Sequence, residues 1–402
     1  MHHEYQRFLG ENNPVARCDD DFFERYHVRT DLAMEATEVI VEREGPPEIP
    51  GVVVQNEVTE NAKINRTRVE TDAGARAIGK VKGNYVTIEA QALRQHNREV
   101  QLEISELIAN EAETFLNTLD EEDHVLVVGL GNWNATPDAL GPRVIDKLLV
   151  TRHLFSLAPP EMRGGLRPVS ALAPGVLGIT GIETGETIQG VAQKVKPKLI
   201  ICIDALASRS TERLCTTIQI ADTGIHPGSG IGNMRLGITP ETMGVPVVAI
   251  GVPTVIHAVT LVSDGMEMIS QAGDHKASTA PARTESVPRQ DASPSPDFHS
   301  SLLDPAYIRV DGDPGVSMEM AGDSSFVDAA ASSKMNRLGR RLAIDGGSAI
   351  DEATKRRVLH QLLQPYMGTM VVTPKEIDVL MADAAWVVAC GLNIALHPGM
   401  DA

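Results

Sequence analysis

The chain has 402 residues, of which 42% are hydrophobic, so it can bury one large core or two ordinary ones. Its formal net charge of −18 repels phosphate backbones and its aromatic content of 3% leaves little for base stacking, so we expect no direct nucleic-acid partner. Its 4 cysteines lack metal-type spacing, which predicts a reduced, cytoplasmic protein, and no apolar run predicts a membrane span or a signal peptide.

The N-terminal part of the chain is predicted to surround the core. Residues 1–30 are polar and indicate an extension, and residues 31–44 are predicted to form one helical turn or an extended arm. Alternating apolar and polar residues over 51–90 predict peripheral antiparallel strands. Residues 98–119 carry apolar side chains at helical spacing, which predicts a long amphipathic helix packed on the sheet.

A strand, a glycine turn and a helix are predicted over residues 125–142. Val125–Val128 is a continuous apolar run, typical of a parallel strand buried on both faces, and glycines then break it. Thr136 is the predicted N-cap of the helix, which puts Asp138 in the first helical turn, just past the carboxyl end of a core strand. Open α/β sheets bind ligands at that edge. A dinucleotide motif would need a glycine where Asn134 stands, so a nicotinamide cofactor is disfavoured.

A second acid has the same predicted placement. Residues 198–207 predict another buried strand, with Asp204 at its carboxyl end. Each acid taken alone could be a turn former or a cap, as Asp138 would be if it served only the helix dipole. Two acids in matching positions favour a functional carboxylate pair.

The remaining predicted elements alternate between loops, helices and strands. They are a loop over 151–182, a helix over Thr184–Val195, a short strand over Thr217–Ile220, a third buried strand over Gly244–Gly251, a helix over Val255–Ile269 that Thr254 caps and that carries His257, and a final helix from Glu376 to about Ala389 that Thr373 caps. Residues 270–335 are dominated by small and polar residues and by proline, a composition typical of a disordered insert.

Residues 221–237 form a glycine-dense loop. So many glycines are costly in entropy unless the backbone must approach another group closely, so we interpret the loop as facing a substrate, the alternative being a plain surface loop. His226, Gly228, Ser229 and Gly230 are the candidate site residues in it, although a lone loop histidine can also be a bystander. Ser229 lacks the outer glycines of a nucleophile elbow, which disfavours a serine nucleophile.

Five stretches of the chain resemble the germination protease family of spore-forming bacteria. They are Tyr26–Ala33, Val128–Pro142, Ile203–Arg209, His226–Asn233 and Val371–Asp378. The resemblance implies an endopeptidase that begins the degradation of small acid-soluble spore proteins during germination. It also implies a cytoplasmic enzyme of the spore core, a homotetramer, and a fold shared with hydrogenase-maturation endopeptidases.

The same resemblance implies which residues act. It assigns catalysis to Asp138 and Asp204, and it implies a zymogen that cuts itself between Asp31 and Leu32. The local sequence, Asp-Leu-Ala-Met-Glu over 31–35, has the order of an acid, a bulky apolar residue, alanine, a variable residue and glutamate that the family's substrates have. Residues 1–31 would then be a propeptide.

The predicted chemistry is that of an aspartic-type carboxylate pair. Two neighbouring carboxylates cannot both ionise easily, so they share a proton, and one can activate a water while the other protonates the leaving amine. We expect no cofactor and no metal. The rival hypothesis is metal-assisted hydrolysis of the hydrogenase-maturation type, in which Asp138, Asp204 and His226 would be ligands. A binding module that holds a partner on the glycine loop is a non-enzymatic alternative.

The predicted fold is α/β, with a mostly parallel twisted sheet flanked by helices and a peripheral antiparallel strand region. Residues 32–269 and 336–402 would form a single peptidase domain, preceded by the propeptide and interrupted by the insert at 270–335.

Overall fold

The computed structural model describes residues 30–44, 49–157, 159, 163–226, 236–258, 260–262 and 370–399. The predicted insert at 270–335 and all but the last two residues of the predicted propeptide 1–31 lie outside these residues. The proposed division into domains therefore stays a prediction.

The described part of the chain contains one sheet of nine strands. The strands are β1 Val52–Val58, β2 Lys63–Val69, β3 Gly83–Glu89, β4 Val125–Gly129, β5 Val169–Leu172, β6 Leu199–Ser208, β7 Thr217–Ala221, β8 Val247–His257 and β9 Val371–Val372. The helices are α1 Ala33–Glu44, α2 Asp72–Ile78, α3 Arg98–Leu116, α4 Leu140–Ile145, α5 Leu154–Leu157, α6 Leu177–Thr180, α7 Thr184–Val195, α8 Pro240–Met243 and α9 Ile377–Leu396.

The sheet has a parallel part and an antiparallel part that meet at β8. Its order is β1-β2-β3-β7-β8-β6-β4-β5, and β9 pairs with β8. Strands β5, β4, β6 and β8 are parallel neighbours, whereas β1, β2, β3 and β7 pair antiparallel, as β7 and β9 do with β8. The α/β class and the antiparallel region are therefore confirmed. The sequence predicts a mostly parallel sheet, whereas five of the eight strand pairings are antiparallel and three are parallel.

Strand β4 is buried on both faces, as its composition predicts. Its residues Val125–Val128 are at most 1% exposed. On one face the strand joins an apolar cluster with α3 and α9, to which Ile108 and Leu392 belong. On the other face it joins a smaller cluster with α7, to which Ile188 belongs. Because successive strand residues point to opposite faces, only a continuous apolar run can serve both clusters.

Helix α9 is long and apolar enough, by length and composition, to cross a membrane. The helix continues to Leu396, beyond its predicted end near Ala389, and so forms a longer apolar run than the sequence predicts. Its buried residues belong to the main apolar cluster. At Gly391 a Cβ atom would lie 2.8 Å from the carbonyl oxygen of Ser105, so glycine lets α9 approach α3 closely. In this structure α9 packs as a core helix.

Several predicted elements differ from the structure. The arm at 31–44 contains a helix of 12 residues, α1. The predicted loop at 151–182 contains β5, which pairs with the edge of β4. Helix α9 begins at Ile377 without a side-chain cap, so Thr373 does not cap it.

The largest error concerns the predicted helix after Thr254. Strand β8 runs on to His257, which is 1% exposed, so Thr254 lies within a strand and caps nothing. Of the predicted helix, residues 258 and 260–262 are helical, so the error is in where the helix starts. Local propensity left this stretch ambiguous, and pairing with β6 on one side and β9 on the other selects the strand. Helix α7, in contrast, has the predicted bounds.

Candidate active site

One cavity of about 630 Å³ brings together four of the residues predicted from the sequence. Asp31, Asp138, Asp204 and His226 all line it. Leu32, the residue after Asp31, is completely buried. The other candidate residues of the glycine loop, Gly228, Ser229 and Gly230, lie outside the described residues.

Asp138 is held by a short turn after β4. The turn, Thr136–Asp138, is a 3-10 helix that begins after Ala135, so the predicted cap at Thr136 is wrong. The backbone N–H of Asn132 donates both to the carboxylate of Asp138 (2.8 Å) and to its carbonyl oxygen (3.0 Å). Gly131 has a φ of +109°, and a Cβ atom there would lie 2.0 Å from the Asp138 carbonyl oxygen. The turn can therefore close over position 131 only if that residue is glycine.

Hydrogen bonds from two threonine hydroxyls also hold this turn in place. The hydroxyl of Thr254, on β8, donates to the carbonyl oxygen of Pro137 at 2.7 Å. The hydroxyl of Thr373 donates in turn to the carbonyl oxygen of Thr254 at 2.9 Å. The two threonines that the sequence analysis assigned as helix caps thus position the peptide next to Asp138.

Asp204 lies inside β6 and not at its carboxyl end, which corrects the sequence analysis. The last residue of β4, Gly129, pairs with Ile203, so Asp204 is the first residue of β6 that β4 no longer covers. On its other side β6 continues beside β8, where Asp204 lies opposite Gly251. Because β4 is short and ends there, Asp204 has no strand neighbour on that side. Asp204 nevertheless lines the same cavity as Asp138.

Asp204 is 8% exposed, and its carboxylate accepts a hydrogen bond from the backbone N–H of Ala205 at 2.9 Å. Two residues earlier, burial and then the charge of Asp204 raise the pKa of the Cys202 thiol. This cysteine therefore stays a neutral, buried thiol, which excludes it as a nucleophile.

The rival hypothesis of metal-assisted hydrolysis depends on side chains that could bind a metal ion. Within the described residues, no group of three or more His, Cys, Asp or Glu side chains is arranged to hold a metal ion. Although Asp138, Asp204 and His226 share the cavity, they do not converge into such a group.

The segment before α1 lies along β6 in the cavity wall. The N–H of Asp31 donates to the carbonyl oxygen of Ala207 (3.0 Å), and the N–H of Ala207 donates to the carboxylate of Asp31 (2.8 Å). The N–H of Ala33 donates to the side-chain oxygen of Gln219 at 2.7 Å. These contacts fix the backbone on both sides of the Asp31–Leu32 peptide bond.

The buried side chain of Glu35 also holds this segment in place. It is 1% exposed, and its carboxylate accepts hydrogen bonds from the backbone N–H groups of Arg209 (2.8 Å) and Ser210 (3.0 Å). The Arg213 guanidinium (3.1 Å) and the Thr30 hydroxyl also donate to it. In the sequence, Glu35 stands out only as a residue of a cleavage motif, because Arg209, Ser210 and Arg213 lie about 175 positions away in the chain.

Comparison with known proteins identifies the family. The model of a family described as germination protease matches residues 31–285 and 334–402. The chain is also 43% identical over 384 residues to a germination protease of Geobacillus sp. (strain WCH70), with 94% of this chain and 95% of the relative covered. The chain belongs to the germination protease family.

Other relatives agree. Germination proteases of Priestia megaterium (strain ATCC 12872 / QMB1551) and Bacillus cereus (strain AH187) are 42% and 40% identical over 383 and 382 residues, each with 94% of this chain and 95% of the relative covered. Among solved structures, a nickel–iron hydrogenase maturation protease from Thermococcus kodakarensis KOD1 matches 35% of this chain and 80% of its own, with 18% identity and a TM-score of 0.22. Membership in the germination protease family makes the chain a germination-related endopeptidase.

Proposed function

We propose that this endopeptidase initiates the degradation of small acid-soluble spore proteins, and that it is made as a zymogen which removes residues 1–31 by cutting between Asp31 and Leu32. The observation that carries the proposal is that Asp31 lines the same cavity as Asp138 and Asp204. The residue that precedes the bond predicted to be cut thus lines the same cavity as the two acids predicted to cut it.

The proposed chemistry is aspartic-type hydrolysis. Asp138 is oriented by the N–H of Asn132, and Asp204 is oriented by the N–H of Ala205. One carboxylate takes a proton from a water as the water attacks the carbonyl carbon, and the other, which holds the shared proton, gives it to the leaving amine. The low exposure of Asp204 favours the proton-sharing state, because burial penalises two charges in one site.

The proposal extends to setting and assembly. The enzyme would act in the cytoplasm of the spore core, on protein substrates, as a homotetramer. Sedimentation of the purified full-length chain tests the assembly directly, since each chain has a mass of 43.2 kDa. A monomer at micromolar concentration would contradict the tetramer without affecting the proposed chemistry.

The catalytic proposal is tested by comparing the full-length chain with its Asp138→Asn and Asp204→Asn variants. Each protein is held at mildly acidic pH, its N-terminus is sequenced over time, and it is then given a small acid-soluble spore protein. We expect a product that begins at Leu32 and a loss of roughly 10²–10⁴-fold in cleavage rate for either variant, the range that acid–base assistance supplies. The exposed acid Asp146, changed to asparagine, is the matched control and should cleave normally.

Three results would contradict the proposal. A folded Asp204→Asn enzyme with normal turnover would rule out catalysis by the carboxylate pair. A product that begins at a residue other than Leu32 would rule out the assigned cleavage site. A wild-type enzyme that a chelator inactivates would favour the metal-assisted alternative.

A further inference from the structure

Lys80 contacts the Asp31–Leu32 peptide bond, which is the bond that is cut in the proposed function. It follows α2 directly after Gly79, which ends that helix in the left-handed conformation with a φ of +65°. Its ammonium group donates hydrogen bonds to the carbonyl oxygen of Asp31 (2.9 Å) and to that of Thr30 (3.0 Å). The residue is half-buried and lines the cavity that holds Asp138 and Asp204.

A second donor reaches the same oxygen. The side-chain amide of Gln219, on β7, donates to the carbonyl oxygen of Asp31 at 3.2 Å, while its own oxygen accepts the N–H of Ala33. The Asp31 carbonyl oxygen therefore receives two side-chain hydrogen bonds, one of them from a cation. Two fixed donors aimed at the carbonyl oxygen of a reacting bond are the arrangement that stabilises an oxyanion.

We propose that Lys80, together with Gln219, forms the oxyanion-stabilising site for hydrolysis of the Asp31–Leu32 bond, which makes Lys80 a third catalytic residue beside the two acids. This inference rests on the proposed self-cleavage and goes beyond it, because neither the carboxylate pair nor the family resemblance assigns a role to Lys80.

Hydrolysis of the Asp31–Leu32 bond passes through a tetrahedral oxyanion. A water oxygen bonds to the Asp31 carbonyl carbon, its proton goes to one carboxylate, and the π-electron pair of the carbonyl moves onto the oxygen held by Lys80 and Gln219. When the oxyanion re-forms a carbonyl, the C–N bond breaks and its electron pair stays on the Leu32 nitrogen. That nitrogen takes a proton from the protonated carboxyl group. The products are a carboxyl group on Asp31 and a free amine on Leu32.

The competing explanation is that Lys80 only anchors the propeptide end. The other contacts of the segment argue that it is held without Lys80, since Asp31 and Ala33 bond to Ala207 and Gln219 through their own N–H groups. Desolvation lowers the pKa of Lys80, and the charges of Asp31 and Glu35 oppose that change. A desolvated cation is a costly anchor for two neutral carbonyl groups but an effective stabiliser of a negative oxygen.

The test uses the full-length chain and two matched lysine variants. Lys80→Met keeps the length of the side chain and removes its charge and donors. Lys82→Met, two residues away, removes an exposed lysine that pairs with Asp72 at the surface and serves as the control. Self-cleavage at Asp31–Leu32 is followed by N-terminal sequencing, and hydrogen exchange of the peptide that spans residues 30–36 reports whether the segment stays in place.

We expect Lys80→Met to cleave itself roughly 10²–10³-fold more slowly, the loss typical of one oxyanion donor, with exchange protection of residues 30–36 unchanged. Lys82→Met should cleave at the wild-type rate. A Lys80→Met rate within threefold of wild type would overturn the inference, and so would a slow variant that has also lost protection, because Lys80 would then be an anchor. If the wild-type chain itself does not cut at Asp31–Leu32, the proposed self-cleavage fails first, which separates the two failures.

Discussion

Replacing Glu35 with glutamine should destabilise the protein far more than the same change at its neighbour Glu38. Both carboxylates contact Arg213, but the Glu35 side chain is 2% exposed and the Glu38 side chain is 45% exposed. A glutamine at 35 offers one acceptor oxygen and turns its amide group toward a donor, so at least one of the N–H groups of Arg209 and Ser210 is left unsatisfied. An unsatisfied buried donor costs about 1–3 kcal/mol, and each remaining hydrogen bond loses about 1 kcal/mol when its acceptor is neutral.

One unsatisfied donor and the two weakened hydrogen bonds on the remaining oxygen sum to a loss of about 3–5 kcal/mol in the free energy of unfolding for Glu35→Gln. For a domain of this size that lowers Tm by roughly 6–20 °C. Glu38→Gln should change the stability by about 1 kcal/mol or less, because its ion pair is at the surface. Thermal unfolding followed by circular dichroism, at pH 7 and with cleavage-inactive Asp204→Asn as the common background, measures both. Equal Tm values for the two glutamine variants would refute the reasoning.

Three other changes have expected outcomes. Gly131→Ala should abolish cleavage and lower the free energy of unfolding, measured in urea, by about 1–3 kcal/mol. The φ of +109° at this position suits glycine, and an alanine Cβ would collide with the Asp138 carbonyl oxygen. Normal turnover of the variant would contradict this. Thr254→Val should slow peptide cleavage with little change in Tm, since it releases the Asp138 turn; an unchanged rate would show that the turn holds without it. Burial lowers the pKa of His397, whose ring accepts the Arg167 N–H and donates to the Leu149 carbonyl oxygen. Just below pH 6.5 the unfolded chain therefore binds more protons than the folded chain, and the free energy of unfolding falls as the pH drops there. His397→Gln should lose less stability than wild type between pH 7 and 5.5 in urea unfolding, and an equal loss would place the acid sensitivity elsewhere.

The sequence predicts the elements whose residues carry their own pattern. Strand β4 is recognisable because four consecutive apolar residues can serve only a strand buried on both faces, and α7 because its polar and apolar residues alternate at helical spacing. The sequence predicts that each acid follows the end of a strand, and this holds only for Asp138. Asp204 lies inside its strand and reaches the cavity because the neighbouring strand β4 is short. That is a property of the strand pairing and cannot be read from the segment around Asp204.

The contacts that surround the acids are not visible in the sequence because they join distant segments. Lys80 lies in an ordinary Gly-Lys-Val-Lys-Gly stretch, and only the arrival of residues 30–31 beside it gives its ammonium group two carbonyl partners. Thr254 has the surroundings of a helix cap, and the ladder with β6 and β9 decides otherwise. The signal available for Gln219 was its position as a polar residue in the middle of an apolar strand, which often marks a buried hydrogen-bonding role.

The burial of Leu32 and Ala33 has a kinetic consequence for the proposed maturation. Both residues are completely buried, and the backbone before them is bonded to β6 of the same chain, so the cavity of another molecule cannot engage that bond while α1 stays folded. Maturation through Asp31–Leu32 should therefore be unimolecular. The half-time of processing would not change on dilution, and an inactive Asp204→Asn chain mixed with active enzyme would keep its N-terminus.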